Sequence, residues 1–278
     1  MDTPLPRRPR RPRTTAAGRP LALVTGASSG IGWAIACEAA RDGYDLIVTA
    51  RRGDRLADLA QIIATQTSAQ VTILPEDLSD RAGPERLWAE IERRKLVINV
   101  LVNNAGLGIG APFVETESQR LRDLLEINVA APLALMRLAL PGMLARRRGR
   151  IANVASMAAF QPIPLMAAYA ASKAFLLSLS EAVGEEVHDT GVTITAICPG
   201  TTRTTFFAAA GYRKPEDFTD TAVAMSPEDV AAIAWAGTMA GAPLVVPGRA
   251  NRAIATLGRL LPRRTLARAA MRVMSERH

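Results

Sequence analysis

The stretch that decides the fold is Leu21-Ala-Leu-Val-Thr-Gly-Ala-Ser-Ser-Gly-Ile-Gly32. Its first four residues form a short apolar run of the kind that a buried parallel strand needs. A helix should follow, because the chain from Trp33 to Arg41 contains no helix breaker. The three glycines then occupy a strand-to-helix turn, where bare backbone and the helix N-terminus can approach a pyrophosphate. A tight turn that binds nothing is the alternative interpretation.

The next strand, residues 45–50, predicts which dinucleotide such a turn would bind. Proteins that bind NAD usually place an acidic residue at this point, where it accepts hydrogen bonds from the ribose hydroxyls. This chain instead has Ala50 followed by Arg51 and Arg52. A carboxylate would repel a 2′-phosphate and guanidinium groups would bind it, so the pattern indicates NADP(H), with Ser28 as a further hydroxyl contact. Solvated arginines at the start of a helix are the alternative.

Tyr169 and Lys173 form a second candidate site. Both lie in an alanine-rich stretch that favours a helix, and their spacing puts the two side chains on one helix face. A nearby ammonium favours the phenolate, so we expect Lys173 to lower the pKa of Tyr169 from its usual value of about 10. The pair could then transfer protons. A solvated helix face is the alternative if the spacing is taken alone.

Further motifs follow along the chain in a defined order. They are Asp77-Leu78 after an apolar strand, Asn103-Asn-Ala-Gly106 after the next, Asn128 in Leu-Glu-Ile-Asn-Val, Ser156 thirteen residues before Tyr169, and Pro199-Gly-Thr-Thr-Arg-Thr204 after a later strand. With Thr-Gly-Ala-Ser-Ser-Gly-Ile-Gly and Tyr169-x-x-x-Lys173, this series resembles the short-chain dehydrogenase/reductase family over residues 20–248, in its NADP-preferring form.

The resemblance implies a catalytic set of Asn128, Ser156, Tyr169 and Lys173. In that scheme Ser156 donates a hydrogen bond to the substrate carbonyl oxygen, and Tyr169 supplies or removes the proton. Lys173 holds the nicotinamide ribose and acidifies Tyr169. Asn128 helps to hold a water that continues the proton path from Lys173 to solvent.

The resemblance also implies a site for NADP(H) along the same edge of the sheet. The glycines would receive the pyrophosphate, Asp77 and Leu78 the adenine, and the turn around Thr202 and Thr204 the nicotinamide carboxamide. The expected contact residues are Gly26, Ser28, Ser29, Gly30, Ile31, Gly32, Arg51, Arg52, Asp77, Leu78, Asn104, Ala105, Gly106, Tyr169, Lys173, Pro199, Gly200, Thr202 and Thr204.

The alternation of strands and helices runs unbroken over residues 21–246 of a 278-residue chain, which favours one domain. We predict an α/β fold with a single Rossmann-like, doubly wound parallel sheet of about seven strands, helices on both faces and a C-terminal helical extension. No apolar stretch approaches an uninterrupted membrane span, so we expect a soluble, cytoplasmic protein. Two cysteines, Cys37 and Cys198, and two histidines without ligand spacing predict no disulfide and no metal site.

The net charge of +8 is unevenly distributed along the chain. Residues 1–19 carry +5 and residues 249–278 carry +7, which leaves −4 for the catalytic domain at residues 20–248. The N-terminal Arg/Pro-rich segment, residues 1–19, is predicted to be a disordered tail. It could touch nucleic acid or anionic lipid nonspecifically, but it lacks interleaved aromatic residues and predicts no specific nucleic-acid partner.

Residues 249–278 are predicted to form a basic amphipathic helical extension that Pro262 divides in two. Arg264, Arg268 and Arg272 recur on one helix face, and Leu266, Ala270 and Val273 mark another. Three uses remain open. The extension could dock on the protein's own body or a sister subunit, bind peripherally to a membrane surface, or bind a partner protein.

The predicted function is that of an NADP(H)-dependent oxidoreductase that interconverts a ketone or other carbonyl and a secondary alcohol. Apolar residues between Ser156 and Tyr169, together with Phe206 and Phe207, favour a lipophilic substrate. The alternative is a non-catalytic NADP(H)-binding sensor or scaffold of the same fold. The resemblance further implies a homodimer or homotetramer that pairs through the helices at residues 129–146 and 169–187.

Overall fold

The structure is a computed structural model, and it describes residues 18–258 and 261–276. The predicted disordered tail lies outside the described residues except for its last two positions. Within the described residues, seven strands form one parallel sheet in the order β3-β2-β1-β4-β5-β6-β7. The strands are β1 (Leu21–Thr25), β2 (Asp45–Thr49), β3 (Val71–Ile73), β4 (Ile98–Asn103), β5 (Gly149–Val154), β6 (Val192–Ile197) and β7 (Leu244–Val245). The predicted doubly wound parallel sheet is confirmed.

Helices connect the strands and cover both faces of the sheet. They are α1 (Gly30–Arg41), α2 (Gly53–Gln66), α3 (Gly83–Arg93), α4 (Ser118–Leu125), α5 (Ala131–Ala145), α6 (Ala167–Glu186), α7 (Phe206–Ala209), α8 (Glu216–Thr219), α9 (Pro227–Ala240), α10 (Arg249–Gly258) and α11 (Arg263–Glu276). A π-helical turn, Glu126–Ala130, joins α4 to α5. The predicted helical extension corresponds to α10 and α11, with Pro262 between them.

Alternation along β1 shows why the sheet is covered on both sides. Ala22 and Val24 pack with α1, α2 and α9 on one face, whereas Leu23 packs with α3 and α5 on the other. Successive side chains of a strand point to opposite faces, so a run without polar residues requires apolar partners on both. Leu23 is completely buried, and burial of such a side chain contributes about 1.5–3 kcal/mol.

The strand order reverses between β1 and β4, and that reversal positions the site. Chain segments leaving β1 and β4 depart to opposite sides of the sheet, which opens a crevice beyond the carboxyl ends of the strands. Thr25, Asn103, Val154 and Ile197 end the four central strands at this edge. Most of the predicted motifs therefore converge there, although they are spread over most of the chain.

One helical stretch corrects an expectation from the sequence. The continuous segment Ser118–Ala145 is long and apolar enough to cross a membrane by length and composition alone. Its second part, α5, packs Leu135, Ala139 and Met143 into the cluster on one face of the sheet. The expectation that no stretch approaches such a span is therefore wrong, because α5 carries apolar residues on its outer side as well, among them Leu133 and Leu144.

Candidate active site

The glycine turn after β1 is braced by a hydrogen-bonded clamp. The Thr25 hydroxyl accepts hydrogen bonds from the backbone N–H groups of Asn104 and Ala105, both at 3.0 Å. The Asn104 side-chain amide donates to the carbonyl oxygens of Thr25 at 2.9 Å and Gly26 at 3.2 Å. A Cβ on Gly26 would lie 2.8 Å from the Ala105 Cα, and Gly26 has a φ of 64°, so only glycine fits.

The turn leaves the start of α1 open toward the crevice. Gly30 begins α1 with a φ of 58°. Ser29 is the N-cap residue, and among the described residues its side chain makes no capping hydrogen bond. Exposed N–H groups and the helix dipole favour an anion at this point. A Cβ on Gly30 would lie 3.1 Å from Thr204 Cγ2, so the glycine turn and the turn after β6 face each other closely across the crevice.

A basic corner lies beside the turn. The Arg52 guanidinium donates to Ser28 Oγ at 3.2 Å and to Ser29 Oγ at 3.5 Å. The nearby acids are already engaged, because the Glu76 carboxylate pairs with Arg86 at 2.6 Å and the Asp77 carboxylate accepts from the Ser79 hydroxyl at 2.6 Å. The corner therefore combines arginine and hydroxyl donors and suits a phosphate group.

Three of the four predicted catalytic residues line the same crevice. Ser156 follows β5, and its side chain interacts with Tyr169, which is buried near the start of α6. Lys173 lies one turn further along α6, and its ammonium donates to the Val154 carbonyl at 2.8 Å. The Lys173 Nζ lies 5.8 Å from the centroid of the Tyr169 ring. Tyr169 and Lys173 therefore lie on one face of α6, as their spacing predicted, and that face is buried and not solvated.

Asn128, the fourth, lies behind the crevice in the π-helical turn. Its amide donates to the Leu107 carbonyl and to Ser172 Oγ, both at 2.9 Å, and its carbonyl accepts from the Leu107 N–H at 2.8 Å. A Cβ on Gly106 would lie 3.2 Å from Asn128 Oδ1 and 3.3 Å from Lys173 Nζ. Asn128 thus braces the loop beside Lys173, and its predicted hold on a water stays a prediction.

The crevice has a volume of about 720 Å³ and continues beyond Tyr169 into an apolar region. The Phe206 ring centroid lies 5.2 Å from that of Tyr169, and Phe207 stacks on Phe218 at 4.2 Å. These side chains belong to a cluster separate from the two that cover the sheet, and we call it the apolar end cluster. Its buried members are Ile109, Leu124, Ala158, Met166, Tyr169, Ala170, Ala210, Tyr212, Phe218 and Met274.

The comparisons with known proteins agree with this geometry. The sequence model for short chain dehydrogenases matches residues 20–214. The chain belongs to the short chain dehydrogenase family. Its predicted family membership is confirmed, and the prediction rested on the order and spacing of the motifs along the sequence.

Individual relatives match different lengths of this chain. The very-long-chain 3-oxoacyl-CoA reductase of Mycosarcoma maydis is 36% identical over 180 residues, which cover 63% of this chain and 51% of the relative. The chain thus spans about half the length of the curated relatives it matches.

Two solved structures match more of the chain. A short-chain dehydrogenase from Sphingobium yanoikuyae in complex with NADPH is 30% identical, with a TM-score of 0.77 over 86% of this chain and 92% of that one. The bulky-bulky ketone specific alcohol dehydrogenase from Comamonas testosteroni is 26% identical, with a TM-score of 0.74 over 88% of this chain and 93% of that one.

The predicted contact residues of the chain fit NADP(H) in position and in chemistry. All of them except Gly32 line the crevice. Gly32 lies behind the turn, where a Cβ would collide with the Asn104 amide, so its role is to let α1 pack closely. The glycine turn and open helix end suit a pyrophosphate, and Arg52 with Ser28 suits a further phosphate.

The direction of the Tyr169 pKa shift corrects the sequence prediction. Burial raises the pKa of Tyr169 to about 12, and the hydrogen bond with Ser156 only partly offsets it. Burial also lowers the pKa of Lys173 to about 8. The prediction that Lys173 acidifies Tyr169 is wrong, because the ammonium is directed at the Val154 carbonyl and removal of the phenolate from water dominates.

Several residues that shape the candidate site were missed in the sequence. A Cβ on Gly108 would lie 2.5 Å from the Phe206 ring, so this glycine makes room for an aromatic wall. Thr25 and Ser172 hold Asn104 and Asn128 in place. The alternate glycines at positions 106, 108 and 110 could have indicated a loop in close contact with other parts of the chain. No sequence signal marked Met274 of α11, because local sequence does not tell which helix will cover the crevice.

Proposed function

We propose that the protein is an NADP(H)-dependent oxidoreductase that interconverts a ketone or other carbonyl with a secondary alcohol by hydride transfer, on a lipophilic substrate. The observation that carries this proposal is the position of the Ser156–Tyr169 pair. These two hydroxyl groups lie where a phosphate-binding turn and an apolar crevice meet. A carbonyl at this point would face two O–H donors while the rest of the molecule lies among aromatic and aliphatic side chains.

The side chains have complementary tasks in this reaction. The nicotinamide, when bound, supplies or accepts the hydride. Negative charge develops on the substrate oxygen during reduction, and the Ser156 hydroxyl can stabilise it by donating a hydrogen bond. Tyr169 keeps its proton at neutral pH because burial raises its pKa to about 12, so it can donate that proton to the oxygen.

Lys173 would return a proton to Tyr169 and would not act as a nucleophile. Its ammonium is held by the Val154 carbonyl at 2.8 Å and adjoins the space beside Gly106. A pKa of about 8 keeps it largely charged at neutral pH but close to release, which suits a group that passes a proton toward Tyr169. Asn128 holds the neighbouring loop, so it would act by positioning.

The preference for NADP(H) over NAD(H) is supported by the basic corner. Ala50 offers no carboxylate to the ribose hydroxyls, and Arg52 is already directed at the Ser28 and Ser29 hydroxyls. A structural relative carries NADPH in its name, in agreement with this assignment.

The lipophilic substrate is supported by the lining of the crevice beyond Tyr169. Phe206, Phe207, Ile163 and Met166 line it. Two relatives are named for ketone chemistry, one for a 3-oxoacyl-CoA and one for bulky ketones. The shared chemistry is a ketone attached to apolar groups, and we propose that class for this protein.

The test is NADPH consumption by the purified protein with a panel of lipophilic ketones, read beside direct NADPH binding. Turnover of a lipophilic ketone that Tyr169→Phe abolishes would support the oxidoreductase. Tight NADPH binding without turnover in either direction would instead support a non-catalytic sensor or scaffold.

We also propose a homo-oligomer that pairs through α5 and α6. Leu133 and Leu144 on α5 and Phe175 on α6 are large apolar side chains left exposed on these helices. Their contact with a second copy would remove them from water. Phe175→Glu should then lower the molecular mass measured by light scattering. If the unmodified protein already has the mass of a single chain, the proposal is contradicted.

Peripheral contact with a membrane surface, by a protein otherwise in the cytoplasm, is the remaining proposal for the extension. Arg264, Arg268 and Arg272 are exposed on α11, and Met271 on the same helix is also exposed. Cationic and apolar groups on one helix surface favour anionic lipid headgroups. Removal of residues 261–278 should abolish sedimentation with anionic vesicles, and no sedimentation of the full chain at low salt would contradict it.

A further inference from the structure

The helix α11 contributes directly to the crevice that holds Tyr169. Two residues of this helix, Val273 and Met274, line the crevice. Met274 is only 7% exposed and belongs to the apolar end cluster together with Tyr169, Met166 and Phe218. A residue close to the C-terminus therefore packs in the same apolar cluster as the proposed proton donor.

The orientation of α11 is specific. Leu266, Ala270 and Met274 follow one another at intervals of four residues, and all three are partly or fully buried. Met271, on the same helix, is 44% exposed. Met274 thus completes a stripe that faces the protein body, and its contact with the crevice follows from the helix geometry.

The crevice leads from the reacting position toward this methionine. Phe206 lies next to Tyr169, and Phe207 continues the wall to Phe218, which shares the apolar end cluster with Met274. Phe206, Phe207, Phe218 and Met274 all line the crevice, so a chain that extends from a carbonyl at Tyr169 can contact both the aromatic rings and the thioether of Met274. Methionine is unbranched and flexible, so it fills such a space without polar groups.

We propose that Met274 is a specificity-determining residue that closes the apolar end of the substrate site and sets the length of the straight chain that the site accepts. The inference rests on the proposed lipophilic ketone substrate. It assigns to the C-terminal extension a part in substrate selection, which is separate from any contact with membrane or partner.

The experiment measures binding of straight-chain methyl ketones of increasing length to the NADPH-bound, full-length protein by calorimetry. Tyr169→Phe is present throughout, so that no turnover disturbs the measurement. Met274→Ala opens space for about two methylenes, each contributing roughly fourfold in affinity, so preference for long over short ketones should rise roughly sixteenfold. Met274→Trp should shift the preference toward short ketones. Met271→Ala is the matched control on the same helix and should leave the length profile unchanged.

Each other outcome has a definite meaning. If Met274→Ala and Met274→Trp both show the length profile of Met271→Ala, the inference is overturned and the proposed function stands. If the parent protein binds NADPH but no ketone of any length, the lipophilic substrate and the role of Met274 both fail. Met274→Trp keeps the inference testable if Met274→Ala weakens the packing of α11, because the larger side chain retains apolar contact.

Discussion

The two ends of the crevice are held by different forces. At the phosphate end, Thr25 and Asn104 satisfy each other's polar groups through defined hydrogen bonds across two strands. At the apolar end, Phe207 stacks on Phe218, and Met274 packs in the same cluster. Hydrogen bonds demand specific partners at specific distances, whereas apolar packing tolerates changes that conserve volume. We therefore expect the phosphate end to be intolerant of substitution and the apolar end to adapt to different substrates.

The largest effect is expected where the two ends meet. Tyr169→Phe removes the proton donor but keeps the ring against Phe206, so ketone reduction should fall by about a thousandfold while NADPH affinity changes little. Steady-state kinetics and NADPH titration check both parts. Near-normal turnover by this variant would remove Tyr169 from the mechanism.

Cofactor preference should respond strongly at the phosphate end. Arg52→Ala combined with Ala50→Asp removes a charge-assisted contact and adds a repelling carboxylate, so the preference for NADPH over NADH should reverse by about one to two decades. Arg51→Ala is the matched control and should have a smaller effect, because Arg52 is the arginine that reaches Ser28. Equal binding of NADH and NADPH by the unmodified protein would refute the NADP(H) assignment.

Stability should distinguish the two ends directly. Asn104→Leu leaves the Thr25 and Gly26 carbonyls without their donor, which should lower the free energy of unfolding by about 1–3 kcal/mol. Phe207→Leu at the apolar end keeps an apolar side chain of similar reach and should cost less than about 1.5 kcal/mol. Denaturant unfolding measures both. If Phe207→Leu proved the more damaging change, the contrast between the two ends would be wrong.

The smallest effect concerns the charge of Lys173. The chain has three lysines, Lys95, Lys173 and Lys214, so carbon-13 labelling of lysine gives few resonances, and Lys95→Arg and Lys214→Arg assign them. The Lys173 resonance should titrate near pH 8, where burial places its pKa.

A consequence for stability follows with a definite sign. An unfolded lysine holds its proton to about pH 10.4, so the unfolded chain binds more protons above pH 8, and Lys173 should make the unfolding free energy rise with pH from about 8 to about 10. Tyr169 should make the unfolding free energy fall with pH above about pH 10, because its raised pKa keeps a proton in the folded chain that the unfolded chain loses. A Lys173 resonance that stays unchanged through pH 9 would show that burial does not govern this group.

The amino-acid sequence by itself determined the features that depend on local pattern. The apolar run before the glycines predicted β1 and its burial on both faces, since alternation along a strand can be read from neighbouring residues. The glycine turn, Arg51 and Arg52 after β2, and Tyr169 one turn before Lys173 were likewise readable. The order of these motifs was enough to identify the family.

The tertiary structure decided what depends on residues distant in sequence. Local spacing predicted that Lys173 would lower the pKa of Tyr169, but burial by several elements raises it. The partnership of Thr25 with Asn104 crosses from β1 to β4, and the contact of Met274 with the apolar end cluster joins the end of the chain to its centre. Desolvation and packing depend on how the whole chain is folded, so no short stretch of sequence specifies them.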